Sequence, residues 1–335
     1  MANRFTHIYV ERQAREYPFT QRILKKFPAA VQIEINNYRD IFQRANQQFL
    51  IQKQNPNLIL AVKRDGLIYR GSPECQDFNN PNFYYSTPVL NCIYDCEYCY
   101  LQGKYQSANL VVFVNQADLM TAVGAEIDRR PDRGHPLLLA LSYDTDLLAL
   151  DNRLALITDW IEFARSTDDL LLEIRTKSAV RSLFSRLKPT GNILFSWTLS
   201  PASIITSYEH LTPALGKRLA AVRAALNQGW QVRLCIDPLI YSADWSEVYG
   251  KFVEHLFSVL PPAAIYDVHY GPFRMNDTFF KRLQKLRPGS KIFNQPLAPA
   301  EKVITLPLEL QLSMTEIMGE YLAKYLPAQK IHPWN

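Results

Sequence analysis

Residues 91–103 read NCIYDCEYCYLQG and place three cysteines, Cys92, Cys96 and Cys99, within eight positions. The spacing C-x3-C-x2-C gathers three soft thiolates on a short loop, and thiolates are good ligands for iron-sulfur clusters. Three cysteines leave one iron of a four-iron cluster without a protein ligand, so a substrate or cofactor can bind that iron. The stretch therefore predicts a metal centre with an open coordination position.

A zinc site is the alternative interpretation of these cysteines, and structural zinc needs a fourth Cys or His ligand. Cys75 stands 17 residues upstream of Cys92 and is a candidate for that ligand, whereas Cys235 is isolated on an apolar stretch. No second C-x2-C pair accompanies the first, which favours iron-sulfur chemistry. Cys75 and Cys235 are then expected to be a loop thiol and a small core residue.

The composition is that of a folded protein: 335 residues, of which 47% are hydrophobic and 21% charged. Five cysteines make a poor disulfide framework, which favours a reducing compartment. No apolar run approaches the roughly 20 residues of a membrane span, and the N-terminus lacks a signal-peptide core. We therefore expect a cytoplasmic protein without a membrane partner. The net charge of +5 fits a polyanionic partner or simply a solvated, mildly basic surface.

Outward from the cysteines, short apolar runs alternate with amphipathic stretches of helical length, as in βα units around a parallel sheet. The predicted strands are Phe83–Leu90, Leu110–Val114, Leu137–Ser142, Leu170–Arg175, Ile193–Leu199 and Gln231–Ile236. The predicted helices between them include Asp118–Arg130, Arg153–Arg165 and Ala214–Asn227. Six strands with intervening helices predict an α/β fold of the partial-barrel type, with the cysteine loop at its carboxyl rim.

Segments on both sides extend this barrel. Residues 8–55 are polar, aromatic and partly helical in period, which predicts a helical N-terminal extension. On the other side, a strand at Ile265–Tyr270 and an amphipathic helix at Leu308–Leu326 are predicted, with the methionines of that helix packed in the core. The predicted parts are an extension over 1–82, the barrel over 83–264 and C-terminal additions over 265–335.

The cysteine loop followed by Tyr-Leu-Gln resembles the radical S-adenosylmethionine (SAM) superfamily, and specifically the spore photoproduct lyases and related DNA repair photolyases. The likeness runs from EYPFTQRILKKF at 16–27 to YGPFRMN at 270–276. It implies a partial (β/α)6 barrel of TIM type, a [4Fe-4S] cluster on the three cysteines, and SAM chelated at the open iron. One electron, from a donor such as a ferredoxin or flavodoxin, would split SAM to a 5′-deoxyadenosyl radical. That radical would abstract hydrogen from a thymine photoproduct in damaged DNA.

Several residues outside the cysteines match positions that bind SAM in the family. Thr145, in SYDTDLLALD, resembles a hydroxyl that contacts SAM and stands beside Asp146. Lys177, in EIRTKS, matches a lysine that pairs with the SAM carboxylate, although a lone lysine there is also typical of a solvated charge. Thr198 or Ser200, in SWTLSP, lies where the resemblance implies a further hydroxyl contact.

The resemblance also assigns tyrosines near the cluster. Tyr98 matches a position that touches SAM, and Tyr100 matches a tyrosine in the hydrogen-atom relay; both are alternatively aromatic packing beside the cluster. The lyases carry a hydrogen-donating cysteine two residues before Thr145, and here that position is Tyr143. A phenol O–H can donate hydrogen, so Tyr143 either replaces the thiol or marks a different reaction.

A second departure lies at residues 301–313, where the lyases have a basic, aromatic hairpin for DNA. Here the sequence is EKVITLPLELQLS, with one lysine and no arginine or aromatic residue. A basic cluster nearby is the alternative source of phosphate contacts, or else a solvated helix face: Arg274, Lys281, Arg282, Lys285 and Arg287. Three hypotheses follow: a radical DNA-repair lyase, a radical SAM enzyme with a non-DNA substrate, and a non-catalytic metal protein that binds nucleic acid.

Overall fold

The computed structural model describes residues 5–71 and 76–334. Its strands in chain order are β1 (His7–Glu11), β2 (Val31–Ile35), β3 (Leu58–Ala61), β4 (Tyr69–Arg70), β5 (Phe83–Tyr85), β6 (Val89–Leu90), β7 (Asp95–Cys96), β8 (Leu110–Phe113), β9 (Leu137–Ala140), β10 (Leu170–Thr176), β11 (Ile193–Thr198), β12 (Glu209–His210), β13 (Gln231–Leu239), β14 (Val268–Pro272), β15 (Arg274–Asn276), β16 (Ala298–Ala300), β17 (Val303–Thr305) and β18 (Ile331–Pro333). Its α-helices are α1 (Pro18–Lys26), α2 (Arg39–Phe42), α3 (Phe49–Gln54), α4 (Leu101–Lys104), α5 (Gln116–Arg129), α6 (Leu147–Leu154), α7 (Ile157–Arg165), α8 (Ser182–Arg186), α9 (Ala202–Tyr208), α10 (Leu215–Asn227), α11 (Trp245–Val259), α12 (Asp277–Leu286) and α13 (Leu308–Ala323). None of the helices in the described ranges has the length and apolar character needed to cross a membrane.

The described chain divides into two compact units. The first contains the described residues up to Ile93 and then Lys104–Ile174, and the second contains Tyr94–Gly103 and the described residues from Arg175 onward. The predicted boundaries at residues 82 and 264 divide the sequence differently and stay a prediction.

The first unit contains a sheet with the strand order β2-β1-β3-β8-β6. Its neighbours are parallel except for β6, which runs antiparallel to β8. The N-terminal region therefore supplies β1, β2 and β3 as well as α1, α2 and α3, so its described residues have a mixed α/β structure where a helical extension was predicted. β2 is a largely exposed strand at the sheet edge, and its sequence VQIEI alternates apolar and polar residues as a strand does. The interpretation of residues 8–55 as helical overlooked this short alternation.

A second sheet in the first unit joins β4, β5, β9 and β10, with β5, β9 and β10 parallel. The predicted strand Phe83–Leu90 is divided between the two sheets, because β5 pairs with β9 whereas β6 pairs with β8. Pro88 lies between the two pieces and has no N–H for a ladder hydrogen bond, which accounts for the interruption. The predicted strand Leu110–Val114 is present as β8 but pairs with β3.

The second unit is built on a parallel sheet with the order β11-β13-β14-β18. The predicted strands Ile193–Leu199, Gln231–Ile236 and Ile265–Tyr270 are confirmed as β11, β13 and β14 with small shifts at their ends. Helices α10 and α13 pack against this sheet. Met314 and Met318 of α13 are fully buried, so their predicted role in core packing is confirmed.

Candidate active site

The segment that carries the cysteines starts at Asn91, whose backbone is in the left-handed region with φ 73°. Asparagine tolerates this conformation better than most residues. Its side chain donates from Nδ2 to the Ser107 carbonyl at 2.6 Å and accepts from the Cys92 N–H at 2.9 Å. The Lys53 ammonium donates to the Cys92 carbonyl. The backbone at half-buried Cys92 is therefore held firmly within the first unit.

Cys96 and Cys99 belong to the second unit. Cys96 lies on β7, which pairs antiparallel with β12 and places Cys96 opposite Glu209. The Cys96 carbonyl accepts from the Cys99 N–H at 3.0 Å and from Gln102 Nε2 at 2.6 Å, which closes a tight turn between the two cysteines. Cys96 is buried and Cys99 half-buried, and the cysteines in the described part of the chain form no disulfide. Such thiols suit a soft metal centre.

Two arginines hold the turn from its other side. Arg287, which is 12% exposed, forms an ion pair with Asp95 and donates from Nε to Gln102 Oε1 at 2.7 Å. Arg282 on α12 donates from Nη1 to the Gly103 carbonyl at 3.3 Å. These arginines were part of the basic cluster considered above for DNA phosphates, and in the structure they position the cysteine segment.

Most of the remaining residues of the basic cluster also form contacts within the protein. The Arg274 guanidinium lies 3.6 Å from the ring centroid of Trp334, and Lys281 forms an ion pair with Asp277 at 2.6 Å. Lys285 is exposed. The cluster as a whole is therefore weaker evidence for a phosphate-binding surface than its sequence indicates.

A buried network in the second unit centres on Glu209. Tyr98 donates from its hydroxyl to Glu209 Oε1, and Ser200 Oγ donates to the same oxygen at 3.2 Å. Lys177 Nζ lies 3.0 Å from the Tyr98 hydroxyl and 3.4 Å from Glu209 Oε1. Burial and the nearby Glu209 charge raise the pKa of Tyr98 well above its usual value, so this phenol stays protonated. Three residues predicted to contact SAM thus meet around a carboxylate that sequence reasoning missed.

Arg218 completes what we call the Glu209 network: Tyr98, Lys177, Ser200, Glu209 and Arg218. The buried guanidinium binds Glu209 Oε2 at 2.5 Å, the Pro213 carbonyl at 2.8 Å and the Thr198 carbonyl at 3.3 Å. Burial raises the pKa of Glu209, but the charges of Lys177 and Arg218 outweigh burial and lower it to about 2. Glu209 is therefore ionised at neutral pH and fixes the ammonium of Lys177.

The loop that follows β9 in the first unit contains another set of polar side chains. Asp146 caps α6, because its Oδ1 accepts from the Ala149 N–H at 2.9 Å. Within the described ranges, the buried side-chain atoms without a hydrogen-bond partner include Ser142 Oγ and Thr145 Oγ1 of this loop, and Glu173 Oε1 on the neighbouring strand β10. Buried polar atoms are normally paired, so these atoms mark places where a polar ligand fits.

Tyr143 lies on the same loop and stacks on Tyr85 with 4.1 Å between the ring centroids. The Lys104 ammonium is 5.9 Å from the Tyr143 ring and 2.8 Å from Asp144. The Tyr105 hydroxyl donates to Asp144 at 2.7 Å. The ring of Tyr143 is thus held by stacking and by a neighbouring ion pair.

The structure separates the predicted residues into groups by unit. Tyr143 and Thr145 share one loop of the first unit. Tyr100, in the second unit, is half-buried and packs against Phe279 with 6.5 Å between centroids. Tyr100 thus has a packing role in the structure, and its predicted role in the relay stays a prediction. Cys75, the alternative zinc ligand, lies outside the described residues.

A separate group of possible metal ligands, Asp267, His269 and His332, has donor atoms within 4.8 Å of one another. Arg233 occupies both oxygens of Asp267, at 2.6 Å and 2.7 Å. Burial lowers the pKa of His269 to about 4, so its imidazole is neutral at pH 7. Because a guanidinium already neutralises the carboxylate, the group serves as a buried ion pair rather than a cation site.

A family model described as spore photoproduct lyase matches residues 4–292. The spore photoproduct lyase of Bacillus subtilis is 23% identical over 269 residues, which cover 78% of this chain and 76% of that protein. The spore photoproduct lyase of Clostridium acetobutylicum is 23% identical over 263 residues, which cover 76% of this chain and 74% of that protein.

Solved structures give a likeness over nearly the full length. A spore photoproduct lyase complexed with dinucleoside spore photoproduct has a TM-score of 0.81 and 17% identity, covering 98% of each chain. A lyase variant with bound AdoMet and dinucleoside spore photoproduct has a TM-score of 0.80 and 17% identity, covering 98% of this chain and 97% of that one. The shared fold is an α/β barrel of the radical SAM type, so the predicted fold class is confirmed.

Proposed function

The chain belongs to the spore photoproduct lyase family, and from this premise we propose that it is a radical SAM enzyme that repairs a thymine photoproduct in damaged DNA. The family match carries this proposal, and it confirms the resemblance found in residues 91–103. The solved relatives support the substrate class, because one is complexed with dinucleoside spore photoproduct and another also binds AdoMet.

The proposed cluster ligands are Cys92, Cys96 and Cys99. Their chemistry fits a [4Fe-4S] cluster, because they are three thiols at the family spacing and the described cysteines form no disulfide. With a reduced cluster held by these three cysteines, cleavage of bound SAM would supply a 5′-deoxyadenosyl radical. The protein's own contribution is to hold the cysteines, bind SAM and keep water away from the radical.

We propose that SAM is bound by Tyr98, Thr145, Lys177, Thr198 and Ser200. Lys177 supplies the positive charge for the SAM carboxylate, and the ionised Glu209 orients that ammonium from its other side. The unpartnered Thr145 hydroxyl is suited to a polar ligand group. Support for this assignment comes from the match to the family motifs and from the convergence of Tyr98, Lys177 and Ser200 on one carboxylate.

The hydrogen-atom steps are assigned to Tyr100 and Tyr143. Tyr143 stands where the lyases have a cysteine, and it would return hydrogen to the product radical from its phenol. Tyr100 would relay hydrogen between the SAM-derived radical and that donor. The electron that starts the cycle would come from a partner such as a ferredoxin or flavodoxin, in the cytoplasm.

The first test measures radical formation under anaerobic conditions. The protein is reconstituted with iron and sulfide, reduced with dithionite and mixed with SAM, and 5′-deoxyadenosine is quantified. We expect product with the wild type, none with Cys96→Ala, and wild-type levels with Cys235→Ala, a matched change at a buried cysteine of β13. An intact cluster that forms no 5′-deoxyadenosine would mean that the cysteines hold metal for another purpose.

The second test concerns the substrate. The hairpin of β16 and β17 is present, but its turn contains Glu301 and Lys302 in place of a basic, aromatic tip. Binding of irradiated and unirradiated DNA is compared over a range of salt concentrations, because a repair enzyme prefers the damaged, more easily flipped base. Preference for irradiated DNA, with repair of the photoproduct, supports the proposal. Equal or absent binding together with active SAM cleavage would favour the alternative of a non-DNA substrate, which the replacement of cysteine by Tyr143 suggests.

A further inference from the structure

The first unit contains a cavity of about 450 Å³ at the carboxyl ends of β3 and β8. Four cationic and two acidic side chains line it together with a set of aromatic rings. The charged lining residues are Arg39, Lys63, Arg64, Lys104, Asp65 and Asp144. The aromatic lining residues are Tyr38, Tyr69, Tyr85, Tyr105 and Phe113. A cavity with excess positive charge and aromatic rings, of which Tyr69 is exposed, suits an anionic ligand that also has a flat surface.

Lys63 is the most unusual of these residues, since it is only 8% exposed. Its ammonium donates to Thr87 Oγ1 at 2.8 Å and lies 4.6 Å from the Phe113 ring and 5.5 Å from the Tyr69 ring. Within the described part of the chain it forms no ion pair. Burial lowers its pKa to about 8, so the lysine is still mostly charged at neutral pH. A buried charge is normally paired, and the two carboxylates that line the cavity attract Lys63 only from beyond ion-pair distance, so a bound anion would complete its pairing.

The acidic residues of the cavity attract Lys63, but they form their close contacts with other groups. Asp144 already accepts from Lys104 at 2.8 Å and from Tyr105 at 2.7 Å. Asp65 is 84% exposed and lies 3.9 Å from Arg39. Arg39 is itself half exposed and adds positive charge at the cavity. Within the described ranges the Lys63 ammonium therefore has no carboxylate at ion-pair distance, and a ligand phosphate can take that place.

The rings give the cavity a second type of contact. Tyr69 stacks on Tyr85 with 5.0 Å between centroids and keeps 37% of its surface exposed. Tyrosine rings are good surfaces for nucleobase stacking, which is worth about 1–3 kcal/mol per base. An ammonium 5.5 Å from the Tyr69 ring would place a phosphate beside a stacked base.

We propose that this cavity is a binding site for a nucleoside phosphate, with Lys63 binding the phosphate and Tyr69 stacking on the base. The nucleoside phosphate is either a free nucleotide or a unit of a DNA strand. The inference goes beyond the proposed function, because neither Lys63 nor Tyr69 has a role there. It also places phosphate binding in the first unit. Most residues of the basic cluster on and around α12 form contacts within the protein instead.

The test titrates the full chain with thymidine, inorganic phosphate, thymidine 5′-monophosphate and an oligothymidylate, using calorimetry. We expect thymidine 5′-monophosphate to bind at least tenfold more tightly than thymidine. Lys63→Met should weaken that binding at least tenfold and Lys63→Arg should preserve most of it. Lys251→Met, which removes an exposed lysine, should leave it unchanged. Tighter binding of the oligonucleotide identifies a strand as the source of the phosphate, and tighter binding of the mononucleotide identifies a free nucleotide.

Equal affinities for thymidine and its monophosphate, or a Lys63→Met variant that binds as the wild type does, would overturn the proposal. Thermal unfolding of Lys63→Met is measured alongside, and a raised melting temperature without ligand is expected because the variant removes an unpaired buried charge. If Lys63→Met does not fold, Tyr69→Leu tests the same site at a half-exposed position. It should weaken binding of the monophosphate but not of inorganic phosphate, and an equal loss of both, or no loss, would contradict stacking. None of these measurements depends on cleavage of SAM.

Discussion

Glu209 holds together polar side chains that the resemblance to the family predicts to contact SAM. Its two oxygens bind Arg218 on one side and Tyr98, Lys177 and Ser200 on the other. Removal of one partner from a buried ion pair leaves the other charge unpaired, at a typical cost of about 3–5 kcal/mol. The carboxylate is therefore expected to stabilise the fold as well as orient Lys177.

We predict that Glu209→Gln lowers the free energy of unfolding by about 3 kcal/mol at pH 7, because the buried Arg218 loses its counter-charge. The folded pKa of about 2 is below the ordinary value of 4.5, so this stabilisation is complete above pH 4.5 and is lost as the pH falls toward 2. Urea unfolding, monitored by tryptophan fluorescence, should show that the free energies of unfolding of the wild type and Glu209→Gln converge as the pH falls from 4.5 toward 2. Glu247→Gln, at an exposed pair with Lys251, is the control and should show no measurable change. A constant difference down to pH 3 would contradict the assignment.

Tyr143 either returns hydrogen to the product radical or has no part in that step. If its phenol returns hydrogen, Tyr143→Phe should lower repair of the photoproduct by about tenfold or more, equivalent to about 1.4 kcal/mol of activation free energy. Cleavage of SAM to 5′-deoxyadenosine should continue, since the ring and its stacking on Tyr85 remain. Tyr84→Phe, on the opposite face of β5, is the matched control. Full repair activity in Tyr143→Phe would remove the proposed role, and a gain of activity in Tyr143→Cys would support it.

At the scale of the elements, the short helix α4 depends on close contact with α12. A Cβ added to Gly103 would lie 2.3 Å from the Phe279 carbonyl oxygen and 2.6 Å from its Cα, so backbone would have to move. We predict that Gly103→Ala costs about 1–3 kcal/mol by overpacking. It should also lower the iron retained after reconstitution, because α4 follows the cysteine turn directly. Gly124→Ala on α5 faces open space and should stabilise the protein by up to about 1 kcal/mol. Similar thermal unfolding of the two variants would contradict this account.

Strands with continuous apolar sequences could be predicted from the sequence, whereas a break between two helices could not. β9, β11 and β13 are buried and rich in apolar residues, and their sequences alone place them. The predicted helix Arg153–Arg165 is instead two helices, α6 and α7, separated at Ala155, whose backbone has φ 53°. Alanine favours helices, so nothing local in the sequence signals this break.

For the whole molecule, short sequence motifs predicted the chemistry. The features that the sequence did not predict depend on pairing between strands that are distant in sequence. The cysteine spacing and the strand-end residues were sufficient to predict the family, and the assignment of residues to SAM stays a prediction. Glu209 was missed because it belongs to no motif, and only the pairing of β12 with β7 brings it beside Cys96. The sheet of β1, β2 and β3 was missed for the same reason, since its parallel strands are joined by contacts distant in sequence.

The charges buried in the second unit predict how the protein responds to acid. Burial lowers the pKa of His269 to about 4, so between pH 6.5 and 4 the unfolded chain binds a proton that the folded one does not. Burial opposes ionisation of Asp267, but hydrogen bonds from Arg233 and His269 lower its pKa to about 2, and Glu209 behaves likewise. All three groups bind more protons when unfolded, so the free energy of unfolding should fall as the pH is lowered from about 6.5.

Urea titrations at pH 7, 5.5, 4.5 and 3.5 should therefore give steadily lower midpoints for the fluorescence of Trp197 and Trp230, which are buried in the second unit. His269→Gln should reduce the fall of the urea midpoint between pH 6.5 and 4.5. It should leave the fall at lower pH unchanged, because the carboxylates still titrate there. A midpoint that is constant from pH 7 to 4.5 in the wild type would show that His269 is not held neutral by burial, and the assignment of its ion-pair group would then fail.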